Sequence, residues 1–108
     1  MKGQLEYFDQ NDEFGALLPV TGTVSAAPPP SDSEHPWFVV ELDDPLTYQG
    51  QTYRELLIAS RWKGFAVDGR APTSVFVLLV PPSATLAPGF AVRELPHVAW
   101  GMWQRVDA

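Results

Sequence analysis

Several residue types that small proteins use for stability or catalysis are absent or scarce in this chain of 108 residues. It contains no cysteine, which excludes a disulfide framework, a thiolate metal site and a cysteine nucleophile. It contains two histidines, His35 and His97, so a histidine-based metal site would lack ligands. Its longest apolar run, Val75 to Val80, is six residues long, whereas roughly 20 are needed to cross a bilayer. The first residues also lack the apolar core of a signal peptide, so we expect a cytoplasmic protein that does not enter a membrane.

The residues that are present indicate a folded, β-rich domain. Apolar residues make up 45% of the chain, which supplies enough apolar surface to offset the entropy of an ordered chain. Eleven prolines and eight glycines argue against a helix bundle, and no long apolar stripe repeats with helical spacing. The length fits a single domain, residues 1–108, with a modest core and no internal repeat.

Five or six short runs, separated by turn signals, predict strands. The first two, Gln4–Phe8 and Phe14–Leu18, predict an opening hairpin with a polar tip at 9–13. Val75–Val80 is apolar at every position, which indicates a strand buried on both faces. Val20–Ala26 is a further extended piece that continues the second run beyond Pro19, and the remaining predicted strands are Trp37–Leu42, Tyr53–Trp62 and Ala99–Val106.

The connections contain turn signals and chain breakers. Residues 47–53 (TYQGQTY) are nearly symmetric about Gly50, which predicts a tight hairpin. Asp43-Asp44-Pro45 is expected to end the strand before it, and Asp68-Gly69 to form a turn. The proline-rich stretch 27–36 predicts a long, exposed and mobile loop, because proline supplies no donor to a sheet.

These elements predict an all-β fold. Short strands with frequent turns fit a small single-domain β-barrel, OB-like or SH3-like, with long proline-rich loops, and a compact sandwich is the other arrangement that fits. Residues 54–61 fit either a strand or a short helix, because periodicity alone does not decide. We expect Trp100 in the core and Trp62 half-exposed.

The acidic residues are unevenly distributed. The net charge is −6, and residues 1–44 contain nine acids against one base, Lys2. Residues 45–108 contain six bases and four acids. An ordinary solvated surface accounts for this pattern, and the functional alternative is an acidic face that docks a basic protein partner. Non-specific binding of nucleic acid is disfavoured, because phosphate binding depends on clustered Lys and Arg.

Catalytic and metal-binding motifs are missing. The sequence lacks a nucleotide-binding glycine signature, a serine elbow and a zinc-protease motif. The stretch that starts at Asp9 begins like a calcium loop, but it has Phe14 where glycine is needed and Val20 where glutamate is needed. His35 lies in the proline-rich loop, which would hold catalytic geometry poorly. His97, in a connection, is expected at or near the surface.

One acidic group remains to be weighed as an enzyme site. Glu41, Asp43 and Asp44 precede Pro45, a composition typical of a solvated strand end. Two acids are the minimum for glycoside hydrolysis, so an acid-pair hydrolase is a third hypothesis. Because the catalytic and metal-binding motifs are missing, we predict that the protein is not an enzyme and has no metal and no cofactor.

The opening of the chain resembles a cold-shock domain over residues 3–22. The residues that match the spacing of that family are Gly3, Leu5, Tyr7, Phe8, Asp9, Phe14, Gly15, Leu17, Pro19 and Gly22. This resemblance implies an OB-type barrel of five strands that binds single-stranded nucleic acid on stacked aromatic rings.

The chain departs from the cold-shock pattern where binding is supported. Glu6 and Asp12 replace family lysines, and Glu13 replaces a glycine. Three candidate stacking rings therefore remain without the basic residues that support them in the family. The acidic replacements would repel phosphate. Those candidate rings are Tyr7, Phe14 and Phe38, the last from a loose match of 38–41 to the second motif of the family.

A second candidate contact is the trio Arg61, Trp62 and Lys63, where positive charge and an aromatic ring coincide. Our first functional hypothesis is a non-enzymatic domain that acts through protein–protein contact, as an adaptor, an inhibitor or an immunity-type protein. The alternative is a cold-shock-like domain that binds single-stranded nucleic acid. Both hypotheses draw on the same candidate partner-binding residues: Tyr7, Phe14, Phe38, Arg61, Trp62 and Lys63.

Overall fold

The computed structural model describes residues 2–8, 12–33, 36–60, 72–84 and 86–106. The side chains of residues 7, 8, 12 and 97–99 are not among the described features. The described residues include two short helical elements, the one-turn helix α1 (Asp12–Gly15) and a 3₁₀ turn (Val92–Glu94). The strands are β1 (Lys2–Phe8), β2 (Val20–Ala26), β3 (Trp37–Tyr48), β4 (Gln51–Ser60), β5 (Thr73–Val80) and β6 (His97–Arg105).

The strands form a closed antiparallel barrel. Each strand pairs with the next in sequence, and β6 returns to pair with β1. The predicted all-β barrel is confirmed, and its order is up-and-down, whereas an OB-type barrel is a five-stranded Greek key. Because every described strand has a neighbour on both sides, a partner cannot dock by adding a strand to a free edge. No helix within the described ranges is long and apolar enough to cross a membrane.

The hairpin between β3 and β4 is as predicted. Tyr48 pairs with Gln51 across a two-residue turn, and both turn residues have positive φ, 51° at Gln49 and 80° at Gly50. A type I′ turn requires positive φ at both positions, which favours glycine. The outgoing arm is β4, so residues 54–60 form a strand and the short-helix alternative is wrong there.

The predicted strand Phe14–Leu18 is wrong. These residues instead form α1 and a tight reversal, in which the Leu17 amide donates to the Phe14 carbonyl at 2.9 Å. The Phe14 side chain is fully buried, and its ring centroid lies 5.2 Å from that of Tyr48. Apolar residues in this stretch therefore anchor the chain to the core, and β2 takes the place beside β1 that the hairpin prediction gave to 14–18.

The predicted strand end at Asp43 is also wrong. β3 continues through Pro45 because a bulge absorbs the irregular stretch: Glu41 pairs with Glu55 and Leu46 with Tyr53, so four residues of β3 lie opposite one residue of β4. Proline is tolerated at a bulge, where no ladder bond is needed.

Asp43 fastens this bulge to the neighbouring strands. Its carboxylate accepts hydrogen bonds from the Lys2 ammonium and from the Thr21 hydroxyl, the latter at 2.8 Å. The Lys2 ammonium, followed by the Thr21 hydroxyl, holds the pKa of Asp43 below its usual range.

The barrel has an apolar interior and a second apolar layer outside. On β5, Val75, Val77 and Leu79 lie in the interior cluster, whereas Leu78 and Val80 lie in the outer one. The prediction of a strand buried on both faces is therefore confirmed for β5.

The tryptophans divide between these layers. Trp103 is 1% exposed and occupies the interior. Trp100 is half-buried, so the prediction that it lies in the core is wrong. The expected positions of Trp62 and of the Asp68-Gly69 turn lie outside the described residues.

Candidate functional site: an aromatic cleft on the outside of the barrel

An aromatic row crosses four strands on the outside of the barrel. The strand register places Trp37 opposite Ala59, Ala59 opposite Phe76, and Phe76 opposite Trp100. The ring centroids of Trp37 and Phe76 are 6.4 Å apart, and those of Phe76 and Trp100 are 4.1 Å apart. Because Ala59 is small and fully buried, the rings on either side of it approach each other across β4.

The chain between β5 and β6 folds back over this outer face. We name its described residues, 81–84 and 86–96, the covering segment. Its apolar side chains pack on the buried outer residues of the sheet, which include Leu57, Leu78 and Val80. The side chains that make this contact are Ala84, Leu86, Phe90, Val92 and Leu95.

The first part of the proline-rich stretch, residues 27–33, is hydrogen-bonded to the covering segment, and we name it the strap. The Gly89 amide donates to the Pro29 carbonyl, and the Ser31 amide donates to the Phe90 carbonyl, both at 2.8 Å. Ser31 is exposed, as expected for this stretch. The two hydrogen bonds restrain the strap, whereas the proline-rich composition of 27–36 predicts a mobile loop. His35, considered above as a catalytic residue, lies outside the described residues.

The side chain of Asp32 also links the strap to the covering segment. One carboxylate oxygen accepts a hydrogen bond from the Val92 amide at 2.7 Å, and the other accepts one from the Arg93 amide at 3.1 Å. These donors open the 3₁₀ turn and have no partner within it, so Asp32 caps the turn from 60 residues away. The bonds from Val92 and then Arg93 lower the pKa of Asp32.

An open cleft of about 400 Å³ lies between the strap, the 3₁₀ turn and the aromatic row. Trp37 forms one wall, and its indole Nε1–H donates to the Ser33 hydroxyl at 2.9 Å, which fixes the ring. The volume is within the range of small ligand sites and suits one large apolar side chain. The lining residues are Asp32, Ser33, Trp37, Phe76, Leu78, Val92, Arg93 and Leu95.

The cleft is chemically suited to binding. Its walls are mostly aromatic and aliphatic, with charge confined to the rim at Asp32 and Arg93. The Asp32 carboxylate is engaged by backbone amides, so it is not poised to take a proton from a substrate. In the described part of the chain, no group of three or more His, Asp or Glu side chains is placed to hold a metal ion.

A pair of like charges stands farther along the same outer face. Glu41 on β3 lies directly opposite Glu55 on β4. Neither carboxylate has a hydrogen bond or an ion pair within the described residues. Like charges directly opposite each other are generally unfavourable in a sheet, and here Glu41 is exposed and Glu55 half-buried.

The structure does not bring the sequence-predicted contact residues together as a surface. Phe14 is fully buried, and Phe38 is half-buried and packed against the interior cluster, so neither forms an outer stacking platform. Tyr7 lies on β1, and its side chain is not described. The trio Arg61, Trp62 and Lys63 lies outside the described residues.

The aromatic row is the feature that sequence reasoning missed. Its members come from β3, β5 and β6, and they meet because of strand register, for which the sequence carries no direct signal. A comparison with known protein families, curated proteins and solved structures finds no significant match to this chain. The functional assignment therefore rests on the geometry of the cleft.

The Asp32 cap yields a testable expectation. We expect Asp32→Ala to release the strap from the 3₁₀ turn, because two backbone amides lose their acceptor, and cleavage by proteinase K within 27–33 should then accelerate. Asp44→Ala removes an exposed acid that has no bonded partner in the described structure, and it should leave the cleavage rate unchanged.

The same link should respond to acid. Since the folded pKa of Asp32 is lowered, its contribution is present at neutral pH and is lost as the pH falls below the ordinary aspartate range, about 4. Wild-type cleavage should therefore approach that of Asp32→Ala at low pH when an acid-active protease is used. Equal rates for the wild type and Asp32→Ala at neutral pH would show that the cap does not hold the strap.

Proposed function

We propose that this domain is a non-enzymatic binding module that recognises a protein partner through the aromatic cleft, as an adaptor, an inhibitor or an immunity-type protein. The observation that carries the proposal is the open apolar cleft beside Trp37 and Phe76. Partner side chains anchor in pockets of this kind, where an apolar interior is bordered by a polar rim.

The supports of the cleft favour recognition with little rearrangement. Trp37 is held by Ser33, and the 3₁₀ turn that forms the opposite wall is capped by Asp32. A preformed pocket spares a partner the entropy of ordering the site. Closure of the barrel also favours docking on side chains over pairing with a strand edge.

The net negative charge of the chain favours a partner with a basic surface. The chain carries a net charge of −6, so it attracts a positively charged surface and repels an acidic one. Since it contains no cysteine, its fold does not depend on an oxidising compartment, which is consistent with the cytoplasmic location that belongs to this proposal.

Binding at the cleft is tested by a pair of matched substitutions. Random 12-residue peptides displayed on phage are selected on the folded domain, and the enriched peptides are measured by fluorescence anisotropy. Leu95→Lys should weaken binding at least about tenfold, because it places an ammonium group at an apolar wall while its methylene stem still covers the sheet.

Leu17→Lys is the control, since Leu17 is 37% exposed and belongs to a different cleft, beside Asp44 at the other end of the barrel. It should change the affinity less than twofold. A reversal, with Leu17→Lys abolishing binding and Leu95→Lys leaving it intact, would place the site at that other cleft and overturn the proposal.

The nucleic-acid alternative gives a distinct expectation. We expect no saturable binding of single-stranded DNA or RNA oligonucleotides near physiological salt. Phe14 is buried, and the exposed acids Glu6 and Glu13 repel phosphate. Anisotropy titrations at two salt concentrations measure this. Binding in the micromolar range or tighter that weakens steeply with salt would favour the cold-shock-like hypothesis over the protein-binding hypothesis.

A further inference from the structure

The walls of the cleft include two aromatic rings. Trp37 and Phe76 both line it, their ring centroids are 6.4 Å apart, and Phe76 is half-buried. The faces of such rings carry partial negative charge, so they attract a cation that lies within about 6 Å of the ring centre. The cleft therefore favours a cation more than a purely aliphatic pocket would.

The rim of the cleft carries a carboxylate with remaining acceptor capacity. Both oxygens of Asp32 accept hydrogen bonds from backbone amides of the 3₁₀ turn, and these bonds favour the ionised form. An ionised carboxylate offers about four acceptor sites, and the two amides use two of them. Asp32 is exposed and forms no ion pair within the described residues. A cation from a partner therefore has an acceptor at the rim.

The charged residues of the 3₁₀ turn leave the surroundings of the cleft acidic. Arg93 lines the cleft, but its guanidinium has no hydrogen bond or ion pair within the part of the chain that the structure describes. Glu94 lines the adjacent cleft, which shares Leu95 with this one. Together with Asp32, these exposed side chains amount to two acids and one base. Their sum has the same sign as the net charge of the whole chain, and Arg93 is the opposing charge.

Arginine combines the features that these walls and this rim recognise. Its methylene stem covers apolar surface such as Leu78 and Leu95, while its planar guanidinium stacks on aromatic faces and donates to carboxylates. Lysine carries the same charge, but its ammonium is more strongly hydrated and is harder to bring against a ring. A leucine or phenylalanine would fill the apolar part of the cleft and make no use of Asp32.

From this arrangement we infer that the partner side chain that enters the cleft is an arginine, with its guanidinium against Trp37 and Phe76 and beside Asp32. The inference rests on the proposed function, since it uses the same cleft, and it adds the chemical class of the anchoring residue.

The first test changes the peptide. Among the phage-displayed 12-residue peptides selected on the wild type, those that lose affinity in Leu95→Lys bind in the cleft, and we expect them to share an arginine. Replacement of that arginine by citrulline keeps the shape of the side chain and removes its charge. It should weaken binding at least about tenfold in anisotropy titrations. Replacement by lysine should weaken binding by a smaller factor.

The second test changes the opposing charge on the protein. Arg93→Gln removes a repulsion from the rim, so it should tighten binding of the arginine peptides about two- to fivefold, whereas the citrulline peptides should not respond. Arg54→Gln is the control, because it changes the net charge equally but Arg54 lines a different cleft, beside Glu55. It should change the affinity less than Arg93→Gln does. Both arginines are exposed, so the urea midpoints should stay near that of the wild type.

Each other outcome decides against the inference. Peptides that bind in the cleft through leucine, phenylalanine or tryptophan, or that tolerate citrulline, would overturn it and leave the proposed function intact. Weaker binding to Arg93→Gln than to the wild type would indicate an anionic anchor instead. Equal tightening in Arg93→Gln and Arg54→Gln would reduce the effect to net charge. If no selected peptide were sensitive to Leu95→Lys, that result would count against the cleft itself, and so against both proposals.

Discussion

Replacement of Val77 by aspartate is expected to unfold the domain. Val77 is fully buried in the barrel interior, where β5 places it opposite Ile58 of β4 and Ala99 of β6. An uncompensated buried charge costs several kcal/mol, which approaches the total stability of about 5–15 kcal/mol that a domain of this size possesses. Circular dichroism and urea denaturation should show a chain without a cooperative transition.

The matched control is Val106→Asp. Val106 is 46% exposed, and its backbone amide rather than its side chain bonds to the Lys2 carbonyl. This variant should unfold within about 0.5 kcal/mol of the wild type, as surface substitutions usually do. A Val77→Asp protein with a native-like transition would show that the interior of the barrel is not where the structure places it.

Gly22→Ala is also expected to lower the stability of the domain strongly. A methyl group at this position would lie 2.5 Å from the Glu41 carbonyl oxygen and 2.7 Å from a Val40 methyl carbon. The carbonyl belongs to the backbone of β3 and cannot rotate away, so β2 and β3 would have to separate. We expect a loss of about 2 kcal/mol or more, measured as a lower urea midpoint.

Gly50→Ala separates this clash from the general cost of replacing a glycine. Gly50 has a positive φ of 80°, but no atom lies within 4 Å of an added methyl group. Alanine there should cost about 1 kcal/mol, the strain of a left-handed conformation alone. If Gly22→Ala were no more destabilising than Gly50→Ala, the close approach of β2 to β3 would be incorrect.

The elements that sequence reasoning predicted correctly have local causes. The β3–β4 hairpin follows from Gly50 and the polar residues around it, and the turn has the positive φ values that this composition favours. β5 is recognisable because it is apolar at successive positions, which is required of a strand that separates two apolar layers.

The elements that were mispredicted depend on distant contacts. Residues 14–18 are apolar enough for a strand, but burial of Phe14 against Tyr48 makes a helical turn the better solution. Asp43 and Pro45 usually end a strand, yet here the bonds from Lys2 and Thr21 carry β3 through a bulge. Neither contact is visible in a local window of sequence.

The candidate site was beyond prediction for the same reason. Its walls meet through the register of β3, β4, β5 and β6, and its rim depends on Asp32 reaching the Val92 amide across 60 residues of sequence. Composition indicated an acidic domain without catalytic motifs, and it indicated binding as the leading function. It did not indicate which surface binds.

The barrel also accounts for two glycines in the cold-shock-like pattern at the start of the chain. Gly3 lies under the indole of Trp103, where any side chain would collide with the ring, and Gly22 lies against the backbone of β3. Both positions therefore require glycine for packing in this fold. Their spacing has a structural cause that is independent of nucleic-acid binding.

The most direct test of the central claim, that the aromatic cleft binds the partner, is a nuclear magnetic resonance titration of the ¹⁵N-labelled domain with a selected 12-residue peptide. The Trp37 indole N–H faces Ser33 at the cleft, whereas that of Trp103 is buried without a hydrogen-bond partner among the described residues. The account predicts saturable shifts for the Trp37 indole and the Val92 and Leu95 amides, with the Trp103 indole unmoved. Shifts confined to α1 and β1, with the Trp37 indole unchanged at saturation, would contradict it.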